Sequence, residues 1–239
     1  MCIRDRDILA YDTVSGVWSM YFDGSDVGLG GSGSLDVDAF HFMDDGSILL
    51  SIVGSSMLPD VGSVDDSDVV RFVPTTLGSD TAGTYEWYFD GSDVGLTDSG
   101  EDIDAVYFLN GDLIVSTSGG FSVSGASGND EDLFRFAPTT LGASTSGTWT
   151  QYFDGSDVGL GDSSDEDTWG VWLDEANGDV YLTTRGIYSV TGLSGESDDI
   201  YVCTPGPLGT TTSCTFNLYL DGAAVGFVGE RIDGFTIEH

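Results

Sequence analysis

The nine residues Tyr-Phe-Asp-Gly-Ser-Asp-Val-Gly-Leu stand at 21–29, again at 88–96 and again at 152–160. A degenerate copy, Tyr-Leu-Asp-Gly-Ala-Ala-Val-Gly-Phe, stands at 219–227. The four starts are 67, 64 and 67 residues apart. A motif recurring at that period marks tandem supersecondary units, each of which buries its apolar face against a neighbour rather than alone.

The second full unit gives the layout. Asp104–Leu109 is a short, mostly apolar strand, and Asn110-Gly111 is a hairpin turn whose two residues tolerate positive φ. The return strand is 113–118. A Gly/Ser/Asn/Asp-rich loop covers 119–131, a third strand 132–137, and Pro138 to Gly142 a turn, because proline has no N–H for a ladder. A fourth strand, 148–153, runs into the nonapeptide. The first and third copies keep this order, starting at Asp38 and Trp169. Before the first copy lie only two strands, 7–12 and 17–22. After the third lies one, Phe235–Glu238. No segment carries a sustained helical period, and no apolar run approaches the length of a membrane-spanning helix.

Four antiparallel strands per unit in tandem array resemble the blades of a β-propeller, and the Asp-rich units resemble repeats of large secreted bacterial proteins. The expected fold is therefore all-β: a β-propeller fragment of four-stranded antiparallel blades. A string of small β-sandwiches is the competing architecture, although 65 residues and four strands are few for a sandwich. The blades are placed at 30–96, 97–160 and 161–227. Residues 7–29 form the last two strands of a preceding blade, and 228–239 the first strand of a following one. The expected arrangement is an arc of a longer propeller, the rest of which is its first expected partner; the alternative is a four-bladed closure that pairs the N-terminal strands with the C-terminal one and leaves a blade short of its second strand. Met1 to Arg6 match no unit and resemble a translated sequencing adapter of the kind met in metagenomic reading frames, so they are set aside.

Charge narrows the function classes. There are 41 Asp and Glu, six Arg and no Lys, for a net charge of -35. Nucleic acid is excluded as a partner because its phosphates need cations, and membrane insertion is not expected. Self-repulsion of this size strains a folded chain unless counter-ions or bound metal relieve it.

Two cysteines remain beyond the first six residues. Cys203 takes the place of Phe72 and Phe136, and Cys214 that of Gly83 and Gly147, on segments that pair as neighbouring strands. A Cys203–Cys214 disulfide is the expected result, which implies an oxidising, extracellular or cell-surface location. The signal region lies outside the residues in hand.

Alternating strand directions put the blade-to-blade links and the loops between strands two and three on one face, which collects most of the acids. Calcium takes six to eight oxygens from carboxylates, carbonyls and water. The candidate ligands are Asp23, Asp26, Asp36 and Asp38 in the first link; Asp90, Asp93, Glu101, Asp102 and Asp104 in the second; and Asp154, Asp157, Glu166 and Asp167 in the third. Each Asp also suits a turn, where it bonds its own backbone. Asp38, Asp104 and Asp233 recur at the mouth of the innermost strand, with Trp169 in their place in the third copy. The fourth copy has Ala224 for Asp93, and Arg231 for Asp102. Arg71 and Arg135 read as structural ion pairs.

Catalytic constellations are thin: His41 and His239 are the only histidines, and no Ser-His-Asp or Cys-His set can be drawn. The expected function is a non-enzymatic extracellular structural, adhesive or binding module, with calcium on its acidic face and a protein or glycan partner. The alternatives are a fragment of a polysaccharide hydrolase or lyase with Asp or Glu at the channel mouth, and a salt-adapted acidic scaffold with no specific metal.

Overall fold

The computed structural model describes residues 6–30 and 35–237; Met1 to Asp5, with Cys2, and Glu238 and His239 lie outside them. The chain is all-β. It opens with a hairpin of β1 (Ile8–Asp12) and β2 (Val17–Phe22). Unit A has β3 (Val37–Phe42), β4 (Ile48–Ile52), β5 (Ser56–Leu58), β6 (Gly62–Val64), β7 (Val69–Thr76) and β8 (Ala82–Phe89). Unit B has β9 (Ile103–Leu109), β10 (Asp112–Thr117), β11 (Phe121–Val123), β12 (Ala126–Gly128), β13 (Leu133–Thr140) and β14 (Ser146–Phe153). Unit C has β15 (Thr168–Asp174), β16 (Asp179–Thr184), β17 (Tyr188–Val190), β18 (Leu193–Gly195), β19 (Ile200–Pro205) and β20 (Cys214–Leu220).

Each unit is one four-stranded antiparallel sheet, in the orders β3-β4-β7-β8, β9-β10-β13-β14 and β15-β16-β19-β20. Two local features differ from the sequence expectation. The loop between strands two and three carries a small hairpin in every unit: β5-β6, β11-β12 and β17-β18. Its strands have three residues each, too short for their alternation to show in a Gly/Ser-rich stretch. Strand three also runs through the proline expected to end it. Pro74 pairs with Gly83 and Pro138 with Gly147, each at a register shift. The ladder to strand two has already ended there, at Ile48↔Phe72 and Leu113↔Phe136, so the missing N–H faces no acceptor.

The core lies between units. One buried cluster joins Ile8, Phe22, Val27 and Leu29 to Ile48, Leu50, Phe72 and Tyr85 of unit A. A second joins Leu49, Phe89 and Leu96 of unit A to Ile103, Leu113, Phe136 and Trp149 of unit B. A third joins Ile114, Phe153 and Leu160 of unit B to Val180, Tyr188 and Tyr201 of unit C.

The nonapeptide explains why the units stay joined. Its Phe and Leu are buried: Phe22, Phe89, Phe153, Leu29, Leu96 and Leu160. Its first Gly is forced by close approach. A Cβ on Gly91 would lie 2.2 Å from the Ser67 carbonyl oxygen, and on Gly155 2.4 Å from that of Glu131. Its two Asp residues latch onto the next unit. The Asp90 N–H donates to Thr145 Oγ1 at 2.9 Å, and Thr145 N–H donates to Asp93 Oδ2 at 2.9 Å. The same exchange joins Asp23 and Asp26 to Thr81, and Asp154 and Asp157 to Thr212. The backbone seals it, with Gly142 N–H donating to Tyr88 O at 2.8 Å.

The two chain ends meet in a fourth quarter. Trp18 Nε1 donates to Val225 O at 3.3 Å, as Trp149 Nε1 donates to Val94 O at 3.2 Å between units A and B. Ile232 N–H donates to Ser197 O at 3.0 Å, as Ile103 N–H donates to Asp66 O and Thr168 N–H to Asp130 O. Residues 232–237 therefore occupy the place of an innermost strand. They form no ladder, unlike the strand expected at Phe235–Glu238, because no second strand pairs with them among the described residues. Ala39, Phe40, Ala105, Val106, Gly170, Val171, Gly234 and Phe235, with Trp169, close around the axis and leave no room for a water molecule. No open channel runs between these residues, two of which are Phe40 and Phe235.

The disulfide is present, joining Cys203 to Cys214 with Cα atoms 5.1 Å apart. In units A and B this spot holds a ring over a glycine: a Cβ on Gly83 would meet Phe72 Cζ at 2.5 Å, and on Gly147 would meet Phe136 Cζ at 2.5 Å. Unit C fills the same volume with a covalent bridge.

Two outcomes are expected from urea denaturation. Thr145→Val leaves the half-buried Asp90 N–H without its acceptor and lowers stability by about 1–2 kcal/mol, whereas Thr75→Val on the exposed end of β7 is near neutral. Reducing the disulfide costs about 2–3 kcal/mol for so short a loop. The double substitution Cys203→Phe with Cys214→Gly rebuilds the packing of units A and B and makes stability independent of reductant.

Candidate functional site

The structure divides the candidate ligands into two groups. The first is spent on backbone. Asp23, Asp90 and Asp154 bond to the hydroxyl of Ser25, Ser92 and Ser156, two residues on. Asp26, Asp93 and Asp157 accept the latch N–H groups of Thr81, Thr145 and Thr212. Glu101 accepts from Thr97 N and Asp98 N through Oε2 and from Ser122 N through Oε1, tying the link to β11. Glu166 does the same with Asp162, Ser163 and Ser189. These eight carboxylates act as caps and clamps, the turn role open to each Asp.

The second group gathers at the axis. Asp38, Asp104 and Asp233 enter the innermost strand positions of their units, and Asp36, Asp102 and Asp167 stand two residues earlier. The pairing runs between units: Asp38 lies within hydrogen-bonding reach of Asp102, and Asp104 of Asp167. Asp104 and Asp167 are each 1% exposed. Neither oxygen of Asp104 has a donor, nor does Asp167 Oδ1 or Asp102 Oδ1. Two ionised carboxylates cannot bond each other, so a proton or a cation must lie between them. Among the described residues, no three acidic, histidine or cysteine side chains are arranged to ligate one ion.

Burial is the largest cause of the proton affinities of these acids. Asp38 is pushed up to about 8 by burial and then by Asp102, Asp233 and Asp167. Asp102 rises to about 7 by burial and by Asp66. Asp167 rises to about 7 by burial and by Asp130, partly offset by Trp169 and Arg185. Asp104 is raised well above the ordinary carboxylate range by burial, then by Asp167 and Asp38.

The side of the mouth at unit C differs. Trp169 Nε1 donates to Asp167 Oδ2 at 3.1 Å. The guanidinium carbons of Arg185 and Arg231 lie 5.9 and 5.5 Å from the Trp169 ring centroid. Arg71 pairs with Asp45 and Glu86, and Arg135 with Asp112, at the hairpins joining strands one and two.

A polar cleft of about 470 Å³ opens between units B and C, lined by Gly119, Gly120, Asn129, Asp130, Glu131 and residues 161–164. Burial pushes the Glu131 carboxyl up to about 7. The repeat pattern alone does not single this residue out. The available signal is that Ser67 and Asp198 hold the equivalent positions.

No family model matches the chain, and no curated protein does. Two solved structures of the extracellular domain of BT4673 from B. thetaiotaomicron align with it, one described as a hybrid two-component system and one as a one-component system. The first shares 12% identity over 82% of this chain and 27% of its own, with a TM-score of 0.24. The second shares 10% over 95% and 35%, with a TM-score of 0.25. The chain thus spans about a third or less of either domain, and likeness at this level fixes neither fold nor activity.

The raised acids set the sign of the pH response. Their ordinary value is 3.8, and the fold holds them at about 7 to 8. Between those limits the folded chain binds more protons than the unfolded one, so stability falls as pH rises from about 4 to 8 and then levels. Asp104→Asn, in chelator, is expected to flatten that slope and raise the melting point at pH 8 by a few degrees, about 2–4 °C per kcal/mol for a chain of this size. Thermal melts from pH 4 to 9 check it; a steeper fall in the variant would contradict the assignment.

Proposed function

We propose that the chain is an extracellular, non-enzymatic structural and binding module of β-propeller type, whose acidic side is held together by calcium. The observation that carries this reading is the set of buried, unpartnered carboxyl oxygens where neighbouring units converge. Supporting it are four equivalent chain segments around one axis, cores placed between units, and a disulfide of the kind kept in oxidising compartments. No helix among the described residues is long and apolar enough to cross a membrane. The partner of such a module is a protein or glycan surface.

One observation favours a second reading, a polysaccharide hydrolase or lyase. Asp130 and Glu131 share the cleft, and Glu131 is buried with a raised carboxyl, as a general acid requires. New chain ends released from a polysaccharide and lost in Glu131→Gln would favour it over the first.

The calcium reading is tested by melting the protein in saturating calcium and in chelator at matched ionic strength. With millimolar calcium and a site of about 10 µM, mass action supplies roughly 2.7 kcal/mol. The melting point is expected to rise in calcium. Equal melting points, or full replacement of the effect by sodium chloride, would leave only a salt-adapted acidic scaffold.

A further inference from the structure

Among the acids where the units converge, Asp104 stands apart because no donor reaches either of its oxygens. The latch and clamp acids accept backbone N–H groups or serine hydroxyls. Asp104, by contrast, is 1% exposed with both oxygens unbonded, and it faces Asp167, also 1% exposed, whose Oδ1 is unbonded. These acids come from two consecutive units: Asp104 from β9, and Asp167 from the link into β15. The nearby guanidiniums do not close the gap, since Arg185 and Arg231 lie over Trp169 and that ring occupies the third copy's axial position.

We infer that a divalent cation binds between the facing carboxyls of Asp104 and Asp167, bridging units B and C, with Asp38 and Asp102 completing the negative surround. This site rests on the calcium reading and gives it a place. Calcium is the cation that fits. It accepts carboxylate, carbonyl and water oxygens in variable number, whereas magnesium keeps most of its water and demands octahedral geometry, which this enclosed pair does not offer. The pair is not a finished cage, so carbonyls and water supply the rest of the shell. Bound there, the ion takes the place between the two acids that a shared proton otherwise holds. The groups facing the pair are Asp38, Asp102, Asp130, Arg185 and Trp169.

Trp169 supplies a local reporter, since its Nε1 lies 3.1 Å from Asp167 Oδ2. Terbium stands in for calcium and emits when a tryptophan beside it is excited. Wild-type protein titrated with terbium is expected to show sensitised emission that calcium displaces and magnesium displaces at least tenfold less well. Asp104→Asn is expected to weaken calcium binding at least tenfold by calorimetry. Trp169→Phe, which removes the reporter and its hydrogen bond to Asp167, is expected still to take up calcium by calorimetry while losing at least tenfold in emission, and it decides the matter if Asp104→Asn fails to fold. Undiminished emission from Trp169→Phe, or undiminished calcium binding by Asp104→Asn, would move the ion elsewhere and overturn this site while leaving the calcium reading intact. No calcium uptake by the wild type would remove both.

Discussion

Three of the four junctions in this fold depend on the exchange between an aspartate pair and one threonine. A four-stranded sheet of some 65 residues has two faces to cover and no core of its own. Its stability comes from the neighbour, and the neighbour must be held at a fixed angle for the side chains to interdigitate. The latch fixes that angle. Asp90 gives its N–H to Thr145 and Asp93 receives the N–H of the same residue, so one residue of unit B is gripped on both its polar sides. The latch is half-buried around the buried Thr145, and a hydrogen bond is directional where hydrophobic contact is not. The 3₁₀ turn at Ser92–Val94 and the left-handed Gly95 at φ 101° place the two Asp residues for the grip.

The departures of the fourth copy have the same origin. Ala224 stands where the latch aspartate belongs. The element it faces is the β1–β2 hairpin, whose turn spans only Asp12 to Gly16 and carries no equivalent of Gly142-x-x-Thr145. A latch aspartate there would have nothing to hold. Aromatic contact closes this junction instead: Trp18 stacks on Phe227 at 5.5 Å and bonds Val225 O. Three junctions are polar and directional, and the one formed by the two chain ends is held by a ring stack.

Much of this was legible in the letters. The period, the four strands, the hairpin turns and the Cys203–Cys214 pair can be read because each rests on local chemistry repeated several times over. What could not be read has a physical cause in each case. The run through Pro74 depends on where the β4 ladder stops, which is a matter of register. The role of Glu101 depends on Ser122, 21 residues away and on a strand of three residues. The acids are the sharpest case. Asp93 and Asp104 look alike in sequence, both near the ends of one link. One accepts a backbone N–H of the next unit and the other meets no donor, a difference made by the neighbours each finds in the folded chain.

That difference is itself a consequence of repetition. A tandem array cannot place one carboxylate at the start of an inner strand without placing its equivalents there, and radial packing brings all the equivalents to one point. Asp38, Asp104 and Asp233 are the result, with Asp102 and Asp167 beside them. Like charges converging in a buried site raise one another's proton affinity and oppose folding once ionised. The array has two ways out. One is to break the repeat, and the chain does so in part, where Trp169 replaces one aspartate and Arg231 another. The other is to bring in positive charge from solution. Between Asp104 and Asp167 both carboxylates remain, and the arginines nearest to them lie over the Trp169 ring, so that pair is where an external cation has most to neutralise.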